Sequence, residues 1–224
     1  LAIAKITFSL FKKHLINSLL SPQSMTGIRV LLLLFVSTLT AFGQAAFFAP
    51  VRDAIVSIPE QKMVVMEGTR KIATFPVSTS KFGIGDRRNS WSTPLGVHRV
   101  AQKIGDRAPA GTVFRRRIPT GEIIQPNAPG RDPIVSRILW LAGEEPGNRN
   151  AYERCIYIHG TSEEKMIGKP ASYGCIRMRS RDVIVLYEML SVGSRVSIVT
   201  DNVRKAMNTY TMAKLQPVAP AKLP

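Results

Sequence analysis

Apolar runs no longer than a single strand, each closed by a turn-forming cluster, constrain this chain more than any other feature. Ile138-Leu139-Trp140-Leu141 and Cys155-Ile156-Tyr157-Ile158 are two such runs, separated by Glu145-Pro146-Gly147-Asn148, and both read as buried strands. The same pattern precedes them. Ala54 to Ile58 and Lys62 to Met66 are β-prone, and Glu67-Gly68-Thr69-Arg70 turns the second run into Lys71 to Val77. Val97 to Lys103 alternates after a turn-rich stretch from Ser78 to Thr93, and Arg195 to Val199 alternates again near the end. Helical spacing is clearest at Val183, Leu186, Tyr187 and Leu190, with Ser180 as candidate cap and Gly193 beyond the end. The expected fold is mainly β, with one or two short helices.

A chain of 224 residues buries one substantial core, so one catalytic domain with appendages is expected. From Gly105 to Arg137 glycine, proline and arginine crowd together. This stretch reads as a long irregular insertion at 105–137, either a cover for a site or a surface elaboration. Residues 201–224 read as a peripheral tail, a helix followed by a proline-containing end.

The first 45 residues contain Lys5, Lys12, Lys13 and Arg29 and no acidic residue. Met25 to Arg29 supplies a short positive start, Val30 to Phe42 an apolar stretch, and Gly43-Gln44-Ala45 small residues, the order of parts in a secretory signal. Residues 25–45 are therefore expected to be a signal peptide, with 1–24 an upstream extension or misassigned start; the competing reading makes Ile3 to Leu20 an amphipathic helix. The apolar stretch falls short of the roughly 20 residues that cross a bilayer, so no stable membrane span is expected after cleavage. An exported protein of the periplasm or cell wall follows.

The whole chain has a formal net charge of +16, and removal of residues 1–45 leaves it at +12. A surface so basic draws anionic lipid, wall polymer or nucleic acid alike. No nucleic-acid module is present, and Arg115-Arg116-Arg117 reads as a solvated loop. His14, His98 and His159, with Cys155 and Cys175, lack compact metal-ligand spacing, so neither metal nor cofactor is expected.

The candidate chemistry lies in His159-Gly160-Thr161 and Ser172-Tyr173-Gly174-Cys175-Ile176-Arg177. A thiolate attacks a carbonyl far better than a thiol does, and a nearby imidazole can generate it. The sixteen-position separation of His159 and Cys175 demands a strand end and a returning loop that meet in space. Gly174 gives the turn its freedom, and the amides of Gly174 and Cys175 can face an oxyanion. Arg177 offers a permanent charge to substrate or thiolate, or else a structural ion pair with Asp182; Ser172 can bond the loop or the substrate. Cys155, within its apolar run, reads as a small buried hydrophobe. A disulfide between Cys155 and Cys175 would instead make Cys175 structural. Singly, a strand-end histidine and a buried thiol are ordinary; in this combination the functional reading is favoured.

These segments, their order and the preceding Thr93-Pro94-Leu95-Gly96 resemble the L,D-transpeptidase catalytic domain over roughly residues 52–200. Tyr173 departs from the histidine that many members carry beside the nucleophile. The resemblance implies a compact, β-sandwich-like fold and acyl transfer from a peptidoglycan tetrapeptide stem. Cys175 would be the nucleophile, His159 the proton donor and acceptor, and the Gly160 carbonyl the group orienting His159. Gly174, Arg177, Ser172 and Tyr173 would serve substrate or oxyanion. The acceptor is expected to be another stem or a wall-attached protein; water as acceptor, giving an L,D-carboxypeptidase, and a non-catalytic wall-binding module are the alternatives.

Overall fold

The computed structural model describes residues 51–216. The expected upstream extension, the signal peptide and the last eight residues of the tail lie outside the described residues. Along the chain run β1 (Arg52–Ser57), β2 (Lys62–Glu67), β3 (Arg70–Pro76), β4 (Gly96–Ile104), β5 (Thr112–Arg115), β6 (Ile118–Ile123) and β7 (Ile134–Gly143). They are followed by β8 (Tyr157–Thr161), β9 (Ile176–Met178), helix α1 (Ser180–Met189), β10 (Arg195–Val199) and helix α2 (Val203–Leu215). The fold is mainly β with two helices, as expected. Hydrogen bonding runs unbroken through all ten strands in the order β3-β2-β1-β10-β4-β7-β5-β6, with β8 on β7 and β9 on β8. The layering comes from one branching mixed sheet.

The branch point is β7. It pairs antiparallel with β4 over Ile138 to Gly143, with β5 over Ile134 and Val135, and with β8 over Ile134 to Trp140. A strand has two edges, so β4 and β5 share one and β8 takes the other. Seven of the ten β7 residues are apolar, and those from Val135 to Ala142 are buried, the composition of a strand covered on both faces.

Period-two alternation sorts the side chains onto those faces. Ala54, Val56, Val65, Val100, Leu139, Leu141, Ile158, Ile176 and Ile198 point into the main core. There α1 inserts Val183, Leu186 and Tyr187, and Leu190 follows at its C-terminal cap. On the opposite face Ile55, Val64 and Met66 pack under α2 through Ala206, Val203 and Met207. Buried Asp53 anchors that helix, accepting from the Tyr210 hydroxyl at 2.8 Å and pairing with Lys214 at 3.2 Å. Further along the same face, Phe114, Ile138, Trp140 and Tyr157 form a separate cluster that includes Cys155 and Cys175 at its margin.

The structure corrects several details. Residues 105–137 are not irregular throughout, because β5 and β6 form a hairpin within them and β7 begins at Ile134. The hairpin turns on Arg116 and Arg117, both at positive φ, as a two-residue primed turn requires. No glycine occupies the turn. Instead Arg117 lies 4.5 Å from the Trp140 ring centroid and donates to the Tyr157 hydroxyl at 3.1 Å. Ser180 is the first helical residue of α1, not its cap, and its amide donates to the Glu164 carboxylate at 2.8 Å. β6 closes one end of the sheet path and is exposed along its whole length.

Leu186 is the test of the α1 contact, since its side chain is fully buried in the main core. Leu186→Ala is expected to lower unfolding free energy by about 2–5 kcal/mol, measured by urea denaturation.

Candidate active site

Strand register builds the site. β8 and β9 run parallel with Ile158 beside Ile176 and His159 beside Arg177. Side chains at paired positions share a face; Ile158 and Ile176 enter the main core, so His159 and Arg177 project to the other side. Cys175, one residue ahead of β9, falls beside Tyr157, whose amide donates to the Cys175 sulfur at 3.4 Å. The tertiary approach of strand end and returning loop is thus a consequence of one parallel pairing.

His159 is 5% exposed, and its Nδ1 lies 2.8 Å from the Gly160 carbonyl oxygen. That contact makes Nδ1 the protonated nitrogen and leaves Nε2 as the acceptor. Burial lowers the imidazole pKa to about 4; the Gly160 bond and Asp132 oppose this, while the Arg177 charge reinforces it. Gly160 must be glycine because a Cβ there would stand 2.5 Å from the Val135 carbonyl oxygen on β7.

The Cys175 thiol donates to the Cys155 carbonyl at 3.4 Å and remains partly exposed. Its dense walls nevertheless push its pKa up to about 11, against the lowering effects of the Tyr157 amide and Arg177. At neutral pH the pair therefore rests as neutral thiol and neutral imidazole.

The loop before the thiol is pinned by Ser172, whose fully buried hydroxyl donates to the Cys175 carbonyl at 2.6 Å and accepts from the Gly174 amide at 3.2 Å. The Gly174 amide, expected among the oxyanion donors, is thus occupied within the loop. Gly174 has φ +118 and lies against the Trp91 and Ser92 carbonyls, a position only glycine fits readily. The Thr93 hydroxyl donates to the Gly174 carbonyl at 3.0 Å and accepts from the Ser80 amide at 3.0 Å, so the Thr93-Pro94-Leu95-Gly96 element supports the cysteine loop. Arg154 ties this arrangement down through a buried pair with Asp86 at 3.2 Å and a bond to the Ser92 carbonyl at 2.7 Å.

Arg177 pairs with Asp132 at 2.8 Å and Glu163 at 3.4 Å. Asp182, the partner expected from sequence, pairs with Arg179 and Arg181 because it sits on the first turn of α1. Asp132 also accepts from the Thr161 hydroxyl. No spacing signal marks Asp132, which lies in the stretch read as an insertion; only folding brings it to the site. Cys155 likewise differs from expectation. It lies at φ +56 before β8 begins and is partly exposed, and it meets the site through its carbonyl. Both cysteines are free. Tyr173 is 52% exposed, with Lys81 Nζ 3.0 Å from its hydroxyl. Among the described residues no cluster of His, Cys, Asp or Glu is arranged to hold a metal, and no helix is long and apolar enough to cross a membrane.

The arrangement is that of a thiol–imidazole site carried on one face of a mixed β-sheet, with the imidazole tautomer set by a backbone carbonyl. The chain belongs to the L,D-transpeptidase catalytic domain family, whose YkuD model matches residues 52–198. YqjB of Bacillus subtilis strain 168, which carries an L,D-transpeptidase name, is 49% identical over 71 residues, 32% of this chain and 38% of that protein. The Probable L,D-transpeptidase YcfS of Escherichia coli K12 is 26% identical over 161 residues, 70% of this chain and 46% of that protein. The chain thus spans less than half the length of these curated relatives. Among solved structures, L,D-transpeptidase 3 from Mycobacterium tuberculosis aligns at 16% identity and a TM-score of 0.44, covering 67% of this chain and 61% of that one.

With the thiol pKa near 11, alkylation of Cys175 by iodoacetamide should rise about tenfold per pH unit from pH 7 to 9 without a plateau, followed by peptide mass spectrometry. Gly160→Ala should cost about 1–3 kcal/mol in urea unfolding through its clash with Val135.

Proposed function

We propose that the protein is an exported L,D-transpeptidase that transfers the acyl group of a peptidoglycan tetrapeptide stem to an amine, making wall crosslinks or joining a protein to the wall. The single observation that carries this is the shared face of Cys175 and His159, set by the β8–β9 register within a chain of this family. Cys175 Sγ attacks the carbonyl carbon joining diaminopimelate to the terminal D-alanine, and its proton passes to His159 Nε2. Collapse of the tetrahedral intermediate breaks the C–N bond; D-alanine leaves as an amine, taking the proton from His159. The resulting thioester is attacked by the acceptor amine, which gives its proton to His159. The thiol then leaves and is reprotonated from the same imidazole.

The resting protonation supports a particular timing. Burial pushes the thiol pKa up and the imidazole pKa down, so both favour the neutral pair over a thiolate–imidazolium pair before substrate arrives. Proton transfer therefore accompanies attack rather than preceding it. The Gly160 carbonyl holds the reactive tautomer through both half-reactions. Since the Gly174 amide is held by Ser172, the Cys175 amide is the donor assigned to the oxyanion. Arg177, fixed by two carboxylates, serves as a standing positive charge that favours thiolate character and opposes premature protonation of His159. The basic surface favours retention at an anionic wall.

Incubation of the mature protein with disaccharide-tetrapeptide should produce dimer and free D-alanine, read by mass spectrometry, with an acyl-enzyme mass on Cys175. Cys175→Ala should abolish all three signals. D-alanine release without dimer, even with abundant acceptor, would instead select hydrolysis; no product from either route would sink the proposal.

A further inference from the structure

Beside the cysteine loop three aromatic rings stand in the open. Phe82 is 49% exposed, Trp91 56% and Tyr173 52%. The Tyr173 ring centroid is 5.5 Å from that of Phe82 and 6.0 Å from that of Trp91, tilted against the first and edge-on to the second. Lys81 Nζ sits 4.4 Å from the Tyr173 centroid and 3.0 Å from its hydroxyl. Rings of this size ordinarily remove 150–250 Å² each from water on folding, and neighbouring exposed apolar side chains mark contact surfaces.

The cluster is held in place. The Ser80 hydroxyl donates to the Trp91 carbonyl at 2.6 Å and accepts from the Phe82 amide at 2.9 Å, joining the two backbones beneath the rings. Trp91 itself lies at φ +57, an uncommon setting for a bulky residue and one that local contacts must maintain. The Lys81 amide donates to the Ser172 carbonyl at 3.1 Å, so this loop and the thiol loop form one unit. The surface is also continuous with the chemistry: the Arg177 guanidinium carbon is 5.9 Å from the Tyr173 centroid.

We propose that Phe82, Trp91, Tyr173 and Lys81 form a carbohydrate subsite for the N-acetylated hexosamine that bears the stem peptide, an inference that rests on the acyl-transfer reading above. A pyranose presents an apolar C–H face suited to an aromatic ring, and a rim of hydroxyl and acetamido oxygens suited to the lysine ammonium and tyrosine hydroxyl. Bare peptide has no comparable flat face. Reach agrees as well. The three residues between sugar and scissile bond span about 10 Å when extended, and the two-residue step from Tyr173 to Cys175 spans at most about 7 Å. The adjoining rings lie a further 5.5 and 6.0 Å from Tyr173.

The test compares KM for disaccharide-tetrapeptide and free tetrapeptide, and titrates the peptide-free N-acetylglucosaminyl-N-acetylmuramic acid disaccharide against tryptophan emission. Trp91 and Trp140 are the chain's two tryptophans, and Trp140 is only 9% exposed. Wild type should favour the glycosylated substrate on the order of tenfold in KM. Trp91→Ala and Phe82→Ala, each checked for an unchanged melting temperature, should collapse that ratio. The peptide-free sugar should shift wild-type emission saturably and leave Trp91→Ala unmoved. Equal KM values in wild type, or a ratio retained in both folded variants, would overturn the subsite. If neither substrate turns over, the acyl-transfer reading fails, while the sugar titration still decides the subsite: a saturable shift supports it and a flat titration overturns it.

Discussion

The parallel pairing of β8 with β9 is the constraint on which the site depends. It is a short pairing of three residue pairs, but its register decides which side chains share a face. A slip of one residue would send Arg177 into the core and expose Ile176 in its place. The large apolar face opposes such a slip, because Ile158, Ile176 and Met178 all enter the main core with α1 behind them. β7 makes the pairing possible by holding β8 on one edge while β4 and β5 occupy the other. The packing that stabilises the sheet therefore also aligns the thiol loop with the imidazole.

Much of this was legible from residue pattern. β10 follows Arg195 to Val199 as read, and β2 and β4 extend the expected runs by a residue at one or both ends. In these places local alternation and tertiary burial agree. The pattern failed where tertiary contacts replaced local signals. The β5–β6 hairpin lacks a turn glycine, and Arg117 is held there by Trp140 and Tyr157. The run from Cys155 breaks because Cys155 adopts positive φ, delaying β8 until Tyr157. At the site, His159, Gly160, Ser172, Gly174 and Cys175 were visible as motif residues. Asp132, Arg154 and Glu163 were not, because charged residues in unpatterned stretches reveal a partner only after folding.

The electrostatics divide the labour between these two groups. Motif residues supply the thiol, the imidazole and its fixed tautomer. Asp132 and Glu163 supply a counter-charge that keeps Arg177 at 9% side-chain exposure, close enough to influence both reactive groups. The stretch read as an insertion thus contributes a carboxylate to the centre, while the Thr93 element contributes the hydroxyl that braces the cysteine loop.

The free end of the sheet at β6 raises a different matter, that of association. An open strand is a template for a neighbouring chain, and Ile118 and Ile123 are exposed on this one. Pro119 offers no N–H and interrupts the row of donors, while the Glu122–Arg131 ion pair sets charge beside the same strand. Proline and charge at a sheet margin discourage edge-to-edge growth. The hairpin is therefore tied to the Cys155–Tyr157 segment through Arg117 without presenting an unbroken edge along which copies of the protein could polymerise.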